Sequence, residues 1–583
     1  MHDTLIKSAT IVDGTGQAGF TGDVAISDGK ITQVGKVAGA AKETINADGA
    51  LLAPGWVDVH THYDGQVTWD DEIDPSFSHG VTSVVMGNCG VGFAPVANGG
   101  ERELIELMEG VEDIPGTALY EGMPWGAWAS FPEYLDYLAT RKYTLDISAQ
   151  IAHGALRYFV MGERGLKHEA ATAEDRAAMS RLTEEAVRAG AVGFSTSRTI
   201  GHRSVTGNEV PGTFADENEL VDIAMGMQRA GKGVFELIPS AAAGDMLPLG
   251  GDKQTTLEEF ELIKRLAQAS GRPMTFTQIE VPEHPEVWRE VLERSAAANA
   301  TGLNIRPQVP SRPIGLVTSL ATYHMFAQRP SYRAIADLPI EERIKQMRAP
   351  ETKQKILSEE DLEVTGGNPM ATLHKLFAEI AGFLFPLQSP VDYEPDPTTN
   401  FAARAASAGQ EIHDFMYDYL LENNGQNFAI LLGAGYLHGN HDVISEMMQH
   451  TSTVTGLSDA GAHVNLIFDG VAPTYQLMHW ARDRSRGKQL PIELIIHKQT
   501  LNNANLYGFT DRGQIAPGKR ADLNIIDHAN LHLGDMEVRS DLPAGGNRIL
   551  QGATGYIGTW VNGVRTREQD KDTGARPGRL LRS

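Results

Sequence analysis

Two histidines one residue apart, His60 and His62, close the run Leu51-Leu52-Ala53-Pro54-Gly55-Trp56-Val57-Asp58-Val59. An apolar run of this kind reads as a strand. Successive strand side chains point to opposite faces, so His60 and His62 project together from one strand end. Two imidazoles held that way are half a site for a divalent ion such as zinc, which takes nitrogen ligands at about 2.0–2.1 Å. Taken alone, the pair fits two ordinary polar residues at a strand terminus better. Further ligands shift the balance. Cys89 is the only cysteine, and it ends a second apolar run in Gly87-Asn88-Cys89-Gly90. A thiolate is a good zinc ligand, whereas most free cysteines are small buried hydrophobes. Asp459 ends a late run in Ser458-Asp459-Ala460-Gly461-Ala462-His463. A carboxylate there completes the shell and accepts a proton from water whose pKa a metal lowers toward 7.

Residues so far apart in sequence need a scaffold that gathers strand ends. From Leu51 onward, runs with strand character alternate with amphipathic stretches, and eight such runs are found: 51–59, 81–86, 145–152, 192–195, 233–238, 274–279, 303–308 and 453–457. Helical patterns lie between them, over 175–189, 216–230, 256–269 and 285–298. This repeated alternation predicts an α/β fold, a (β/α)8 TIM-like barrel with its active site at the C-terminal ends of the strands. Those ends also supply His153, Arg198, Glu236, Gln278, Glu280, Arg306 and His463. The rhythm breaks between runs seven and eight, so an insertion about 310–430 follows strand seven, and its 310–400 part reads as a lid or oligomer contact. A second insertion, 98–132, carries Trp125, Trp128 and Phe131. Residues 1–50 and 510–568 hold short β runs with Asp-Gly and Asn-Gly turns. They are expected to form one small composite β-sandwich from both chain ends, beside a barrel domain over 51–509. Residues 569–583, rich in Arg, Gly and Asp, read as a loose tail.

The 583 residues carry 75 acidic against 50 basic side chains, a formal charge of −25. That argues against nucleic acid, whose phosphates need Lys and Arg. No apolar run of about 18 residues predicts a membrane span, and no signal peptide is visible at Met1-His2-Asp3-Thr4-Leu5. A lone cysteine forms no intrachain disulfide, which suits a reducing cytoplasm. The expected partner is a small-molecule amide, and a homo-oligomer is expected.

Pro54-Gly55-Trp56-Val57-Asp58-Val59-His60-Thr61-His62, Ser458-Asp459 and Pro517-Gly518-Lys519-Arg520-Ala521-Asp522-Leu523 together resemble the amidohydrolase superfamily. Gly80-Val81-Thr82-Ser83-Val84-Val85-Met86-Gly87-Asn88-Cys89-Gly90 narrows the resemblance to the D-aminoacylase (N-acyl-D-amino-acid deacylase) branch, where such a cysteine ligates zinc. The resemblance implies a metal-dependent hydrolase with a distorted barrel and a composite sandwich. It departs where that branch has histidines on strands five and six and a lysine after the second. Here those strands carry Glu236, Gln278 and Glu280.

The expectation is one firmly bound divalent ion, Zn2+, held by His60, His62, Cys89, Asp459 and Glu236. Asp459 is the catalytic proton carrier, and Arg198, Arg306, His463 and Gln278 are the substrate-binding candidates. The expected reaction is hydrolysis of a C–N bond in an N-acyl amino acid or related amide by metal-activated water. The alternatives are a cyclic amide, lactone or carbamate hydrolase on the same scaffold, and a catalytically silent binding protein. A serine hydrolase is disfavoured, because Gly456-Leu457-Ser458-Asp459-Ala460 lacks the final glycine of the Gly-x-Ser-x-Gly turn.

Overall fold

The computed structural model describes residues 1–240, 255–364 and 367–583. Its centre is an eight-stranded sheet. In chain order the strands are β1 (Trp56–Asp58), β2 (Val81–Met86), β3 (Asp146–Ala152), β4 (Gly193–Ser197), β5 (Val234–Ile238), β6 (Met274–Thr277), β7 (Ile305–Val309) and β8 (Val454–Thr455). Neighbours pair in parallel from β1 round to β8. All six residues of β2 and all seven of β3 are buried. Strands covered on both faces read as continuous apolar or β-branched runs, which is why their sequence signal is strong. The connecting helices are equally legible. Ala173–Ala189 and Thr256–Ser270 open on Thr capping boxes, Glu217–Ala230 opens on Asp216, and the latter two end at left-handed glycines.

The barrel closes at the level of its chemistry. Past the ends of β1 and β8 the chain bridges Thr61 to Ala460 in parallel. The His62 N–H donates to the Ala460 carbonyl at 2.8 Å, and the Asp459 N–H to that of His60 at 3.1 Å. This seam brings the first and last predicted ligand segments side by side.

Strands from both chain ends share one nine-stranded sheet, in which Leu523–Ile526 pairs with Leu51–Pro54, and Leu51–Pro54 with His2–Ile11. Leu51–Pro54, read from sequence as the start of the first barrel strand, therefore belongs to this second sheet. Gly55 is the hinge between them: a Cβ there would lie 2.2 Å from the Thr82 side chain. The sheet has its own core of Ile6, Ile11, Val24, Leu52, Ile525 and Trp560.

Within 310–430, of which 365–366 lie outside the described residues, Gly315–Ser319 and Phe385–Leu387 flank Phe428–Leu432 in an antiparallel sheet. A separate apolar cluster around Phe326, Phe377, Tyr417 and Leu420 fills it. The Val317 N–H donates to the Leu466 carbonyl at 2.7 Å, so this insertion packs on the segment that follows Asp459. The chain end is not loose, as its composition suggested. Gly578 and Leu580 bridge to Tyr143 and Ile147, and the Ser583 N–H donates to the Gly190 carbonyl. Backbone pairing against the starts of β3 and β4 outweighs a polar composition. No helix among the described residues is long and apolar enough to cross a membrane.

Candidate metal centre

The strand ends bring His60, His62, Cys89 and Asp459 together. Cys89 Sγ lies 3.4 Å from His60 Nε2 and 3.8 Å from His62 Nε2. Asp459 Oδ1 lies 3.3 Å from His60 Nε2 and 3.7 Å from His62 Nε2. A tetrahedron with metal bonds of about 2.0–2.3 Å has edges of about 3.3–3.8 Å. Each imidazole Nε2 is thus spaced to share a zinc-sized ion with Cys89 Sγ, and equally with Asp459 Oδ1. His60, His62 and Cys89 form a buried group able to hold a metal.

The backbone is bent to achieve this. Cys89 and Asp459 both have left-handed φ, 57° and 46°, as does His463 at 50°. Non-glycine residues there cost on the order of 1–3 kcal/mol each and cluster at functional sites. Gly87 starts the Cys89 turn with φ 82°, and a Cβ on it would meet the Gln150 carbonyl oxygen at 2.4 Å. Its N–H donates to Asp64 Oδ2 at 3.1 Å, which ties the turn to the chain just beyond His62.

Electrostatics point the same way. Burial pushes both His60 and His62 toward the neutral form, the form that ligates. Burial, and then the neighbouring carboxylates, pushes the Cys89 thiol well up. Glu112 and Glu236 are raised well above the carboxylate range, first by burial. Burial alone would raise Asp459 too, but the hydrogen bond and charges of His62 and His60 hold it below the usual range. The carboxylate oxygens of both Glu112 and Glu236 are buried without a hydrogen-bond partner. Such a concentration of buried acids is costly unless paired or bound to a cation. The donor set therefore suits a divalent ion.

The other expected residues divide. Glu236 is fully buried and close enough to Cys89 that its charge helps push the thiol up. His463 stays at the site, with Nε2 3.5 Å from Glu112 Oε2 and a side chain 18% exposed. Arg198 does not: its Nε contacts both oxygens of Glu259 at 3.0 and 3.1 Å, and its Nη1 donates to the Ala215 carbonyl. Arg306 points into the β7 surroundings at the other barrel end, donating to Asn502. Both arginines are held by structural partners in this fold, because period-two parity gives the face but not the nearest acceptor. The Gln278 amide is likewise spent on the Ile279 carbonyl at 2.9 Å. Glu280 pairs with His438 at 3.3 Å. His153 lies between Thr196 and Glu219 at 2.8 and 2.9 Å. Ser458 Oγ is hydrogen-bonded to Asp58 at 2.5 Å and to the His60 carbonyl at 3.0 Å. His441, which a loop sequence would put on the surface, is fully buried beside Glu394 and His479. Arg484 takes both oxygens of Glu394 at 2.9 and 3.1 Å, so that group is a charge-paired anchor for the insertion.

Two site residues escaped the sequence. Gln308, at the end of β7, places Oε1 2.9 Å from His60 Nδ1. Its signal was its position: it is two residues past Arg306 and nearer the C-terminal strand end. Glu112 ends α1 (Glu101–Glu112) in the 98–132 insertion, with Oε1 3.4 Å from His62 Nδ1. The next residue, Asp113, accepts from the Tyr323 hydroxyl at 2.6 Å and the Asn465 N–H at 3.0 Å. Burial pushes its carboxyl up to about 7. Between roughly pH 4 and 7 the folded protein then keeps a proton that the unfolded chain has released. Stability from this group is present at low pH and is lost as pH rises through 7, by about 4 kcal/mol at most. Asp113→Asn lacks that dependence. Its melting temperature relative to wild type should therefore rise between about pH 5 and pH 8, measured by calorimetry; a constant difference would contradict the assignment.

The amidohydrolase family model matches residues 43–567. The chain belongs to the amidohydrolase family. It is an amide-hydrolysing enzyme, as that membership states. A D-aminoacylase of Alcaligenes xylosoxydans xylosoxydans is 25% identical over 587 residues, covering 99% of this amidohydrolase and 97% of that protein. A crystal structure of a D-aminoacylase shares the fold with TM-score 0.65 at 22% identity, each chain fully covered. An N-acyl-D-glutamate deacylase from Bordetella bronchiseptica, solved with zinc and a phosphonate mimic of the tetrahedral intermediate, gives 0.64 at 22% identity, again over both whole chains. The amidohydrolase therefore has the expected barrel with its accompanying β domain.

Proposed function

We propose that this amidohydrolase cleaves the amide C–N bond of an N-acyl amino acid or a closely related acyl amide, with one Zn2+ held by His60, His62, Cys89 and Asp459. The carrying observation is that Nε2 of both His60 and His62 lies 3.3–3.8 Å from Cys89 Sγ on one side and from Asp459 Oδ1 on the other. The deacylases among its relatives support the substrate class. A thiol among the donors favours zinc over harder ions. Glu236 lies beside this set as a further oxygen donor.

A divalent cation, when bound, polarises the scissile carbonyl and lowers the pKa of a coordinated water toward neutrality. Asp459 does the proton work. Its side chain is 14% exposed, against 1% or less for the two histidines, so it is the donor that water and substrate reach. Its carboxylate accepts the attacking water's proton and delivers it to the departing nitrogen as the C–N bond breaks. The products are a carboxylic acid and a free amine. Burial keeps His60 neutral, and the Gln308 amide oxygen 2.9 Å from Nδ1 aims the ring.

Elemental analysis of the purified protein should find about one zinc per chain, and dialysis against a chelator should abolish turnover until zinc is restored. Activity that is indifferent to chelation would refute the reading. A panel of N-acyl-D- and N-acyl-L-amino acids beside lactams and lactones then sets the substrate; turnover of the cyclic compounds alone would replace the acyl-amino-acid reading.

A further inference from the structure

We infer that Glu112 is a positioning residue: its carboxylate holds His62 in the ring orientation and tautomer that serve the metal centre, and ties that imidazole to His463. This rests on the metal reading above.

Both first-strand imidazoles turn Nε2 toward Cys89 and Asp459, so both leave Nδ1 facing away. For His60 the Nδ1 partner is Gln308, at 2.9 Å. For His62, Nδ1 faces Glu112 Oε1 at 3.4 Å. Neither atom has another hydrogen-bond partner, and both side chains are 1% exposed or less. Leaving a buried donor and a buried acceptor unmatched is costly, so the two are driven to pair. A small rotation of either side chain closes the contact, and hydrogen bonds at such sites are often long before a ligand binds. Once Nδ1–H donates to Glu112, the free lone pair of His62 is on Nε2, pointing at the other donors. Metal-ligating histidines almost always have an outer partner of this kind.

The local sequence is otherwise hard to explain. The last turn of α1 carries Glu109, Glu112 and the capping Asp113 and no basic residue. Acids at a helix C-terminus oppose the helix dipole. Breaking a stability rule at two adjacent buried positions marks a functional placement. The helix end is also clamped to the loop that bears Asp459. The Glu112 carbonyl accepts the His463 N–H, and Asp113 accepts that of Asn465. Gly110 lets α1 approach: a Cβ there would sit 2.4 Å from the Arg203 carbonyl oxygen. The excursion between β2 and β3 thus reaches back to join a first-strand ligand to the last-strand loop.

The test compares wild type, Glu112→Met, Glu112→Ala and Glu112→Gln for zinc affinity by chelator competition, zinc stoichiometry, and the visible spectrum of the cobalt-substituted protein. Methionine keeps the volume while removing the acceptor; alanine is the second variant should methionine fail to fold. Loss of the acceptor should weaken zinc binding by about 10–100-fold and alter the cobalt spectrum, with stoichiometry unchanged. Glutamine, whose amide oxygen still accepts from Nδ1, should restore most of the affinity. Wild-type affinity in the Met or Ala variant overturns the inference, as does a glutamine variant as weak as they are. Loss of one of two zinc equivalents would make Glu112 a ligand and overturn it too. A wild type that binds no divalent ion fails this inference together with the metal reading; a wild type that binds zinc beside an equally tight variant fails this inference alone.

Discussion

Replacing His60 and His62 together by alanine should leave a folded protein that neither retains zinc nor turns over an acyl amide. The two imidazoles are the donors that contact both Cys89 and Asp459, so without them the remaining pair is a thiol and a carboxylate. A catalytic metal is worth several kcal/mol of charge stabilisation in the transition state. At about 1.4 kcal/mol per tenfold, kcat/KM should fall by about 10³–10⁵. Added zinc should not rescue it. The measurement is steady-state kinetics beside elemental analysis and far-UV circular dichroism. Substantial turnover by a zinc-free double variant would remove the metal from the mechanism.

Asp459→Asn should give the second largest loss, and of a different kind. His60, His62 and Cys89 still converge in this variant, so zinc should remain, although bound less tightly. The asparagine amide occupies nearly the same volume and cannot accept the water's proton. General acid–base catalysis contributes typically about 10²–10⁴, and kcat should drop by that order while KM changes little. Metal analysis separates the two variants: the histidine pair loses the ion and the chemistry together, whereas Asp459→Asn keeps the ion and loses the chemistry. An Asp459→Asn protein with near wild-type kcat would assign proton transfer to another group, and His463 is the neighbour placed to take it, beside Glu112.

Much of this was readable before any coordinates. Strands buried on both faces are rich in apolar and β-branched residues, so β2, β5 and β6 stand out in the sequence. Helices announce their ends through Thr172, Asp216 and Thr255. Barrels collect chemistry at the C-terminal strand ends, which selected His60, His62, Cys89 and Asp459 from the many polar residues available. The same rule says less of the arginines. A strand-end position says that a side chain stands near the rim, but a long guanidinium goes to whichever acid is closest. For Arg198 that is Glu259, on the helix that leads into β6.

By itself, the amino-acid sequence determined the barrel and singled out the candidate donors, because each rests on local periodicity or on the chemistry of one side chain. Only the tertiary structure decided what steadies those donors. Gln308 meets His60 across 248 residues of chain, and Glu112 reaches His62 from the 98–132 insertion. Hydrogen-bond partners are set by distance and direction in three dimensions, and nothing in a run of residues encodes which buried acceptor an imidazole will face.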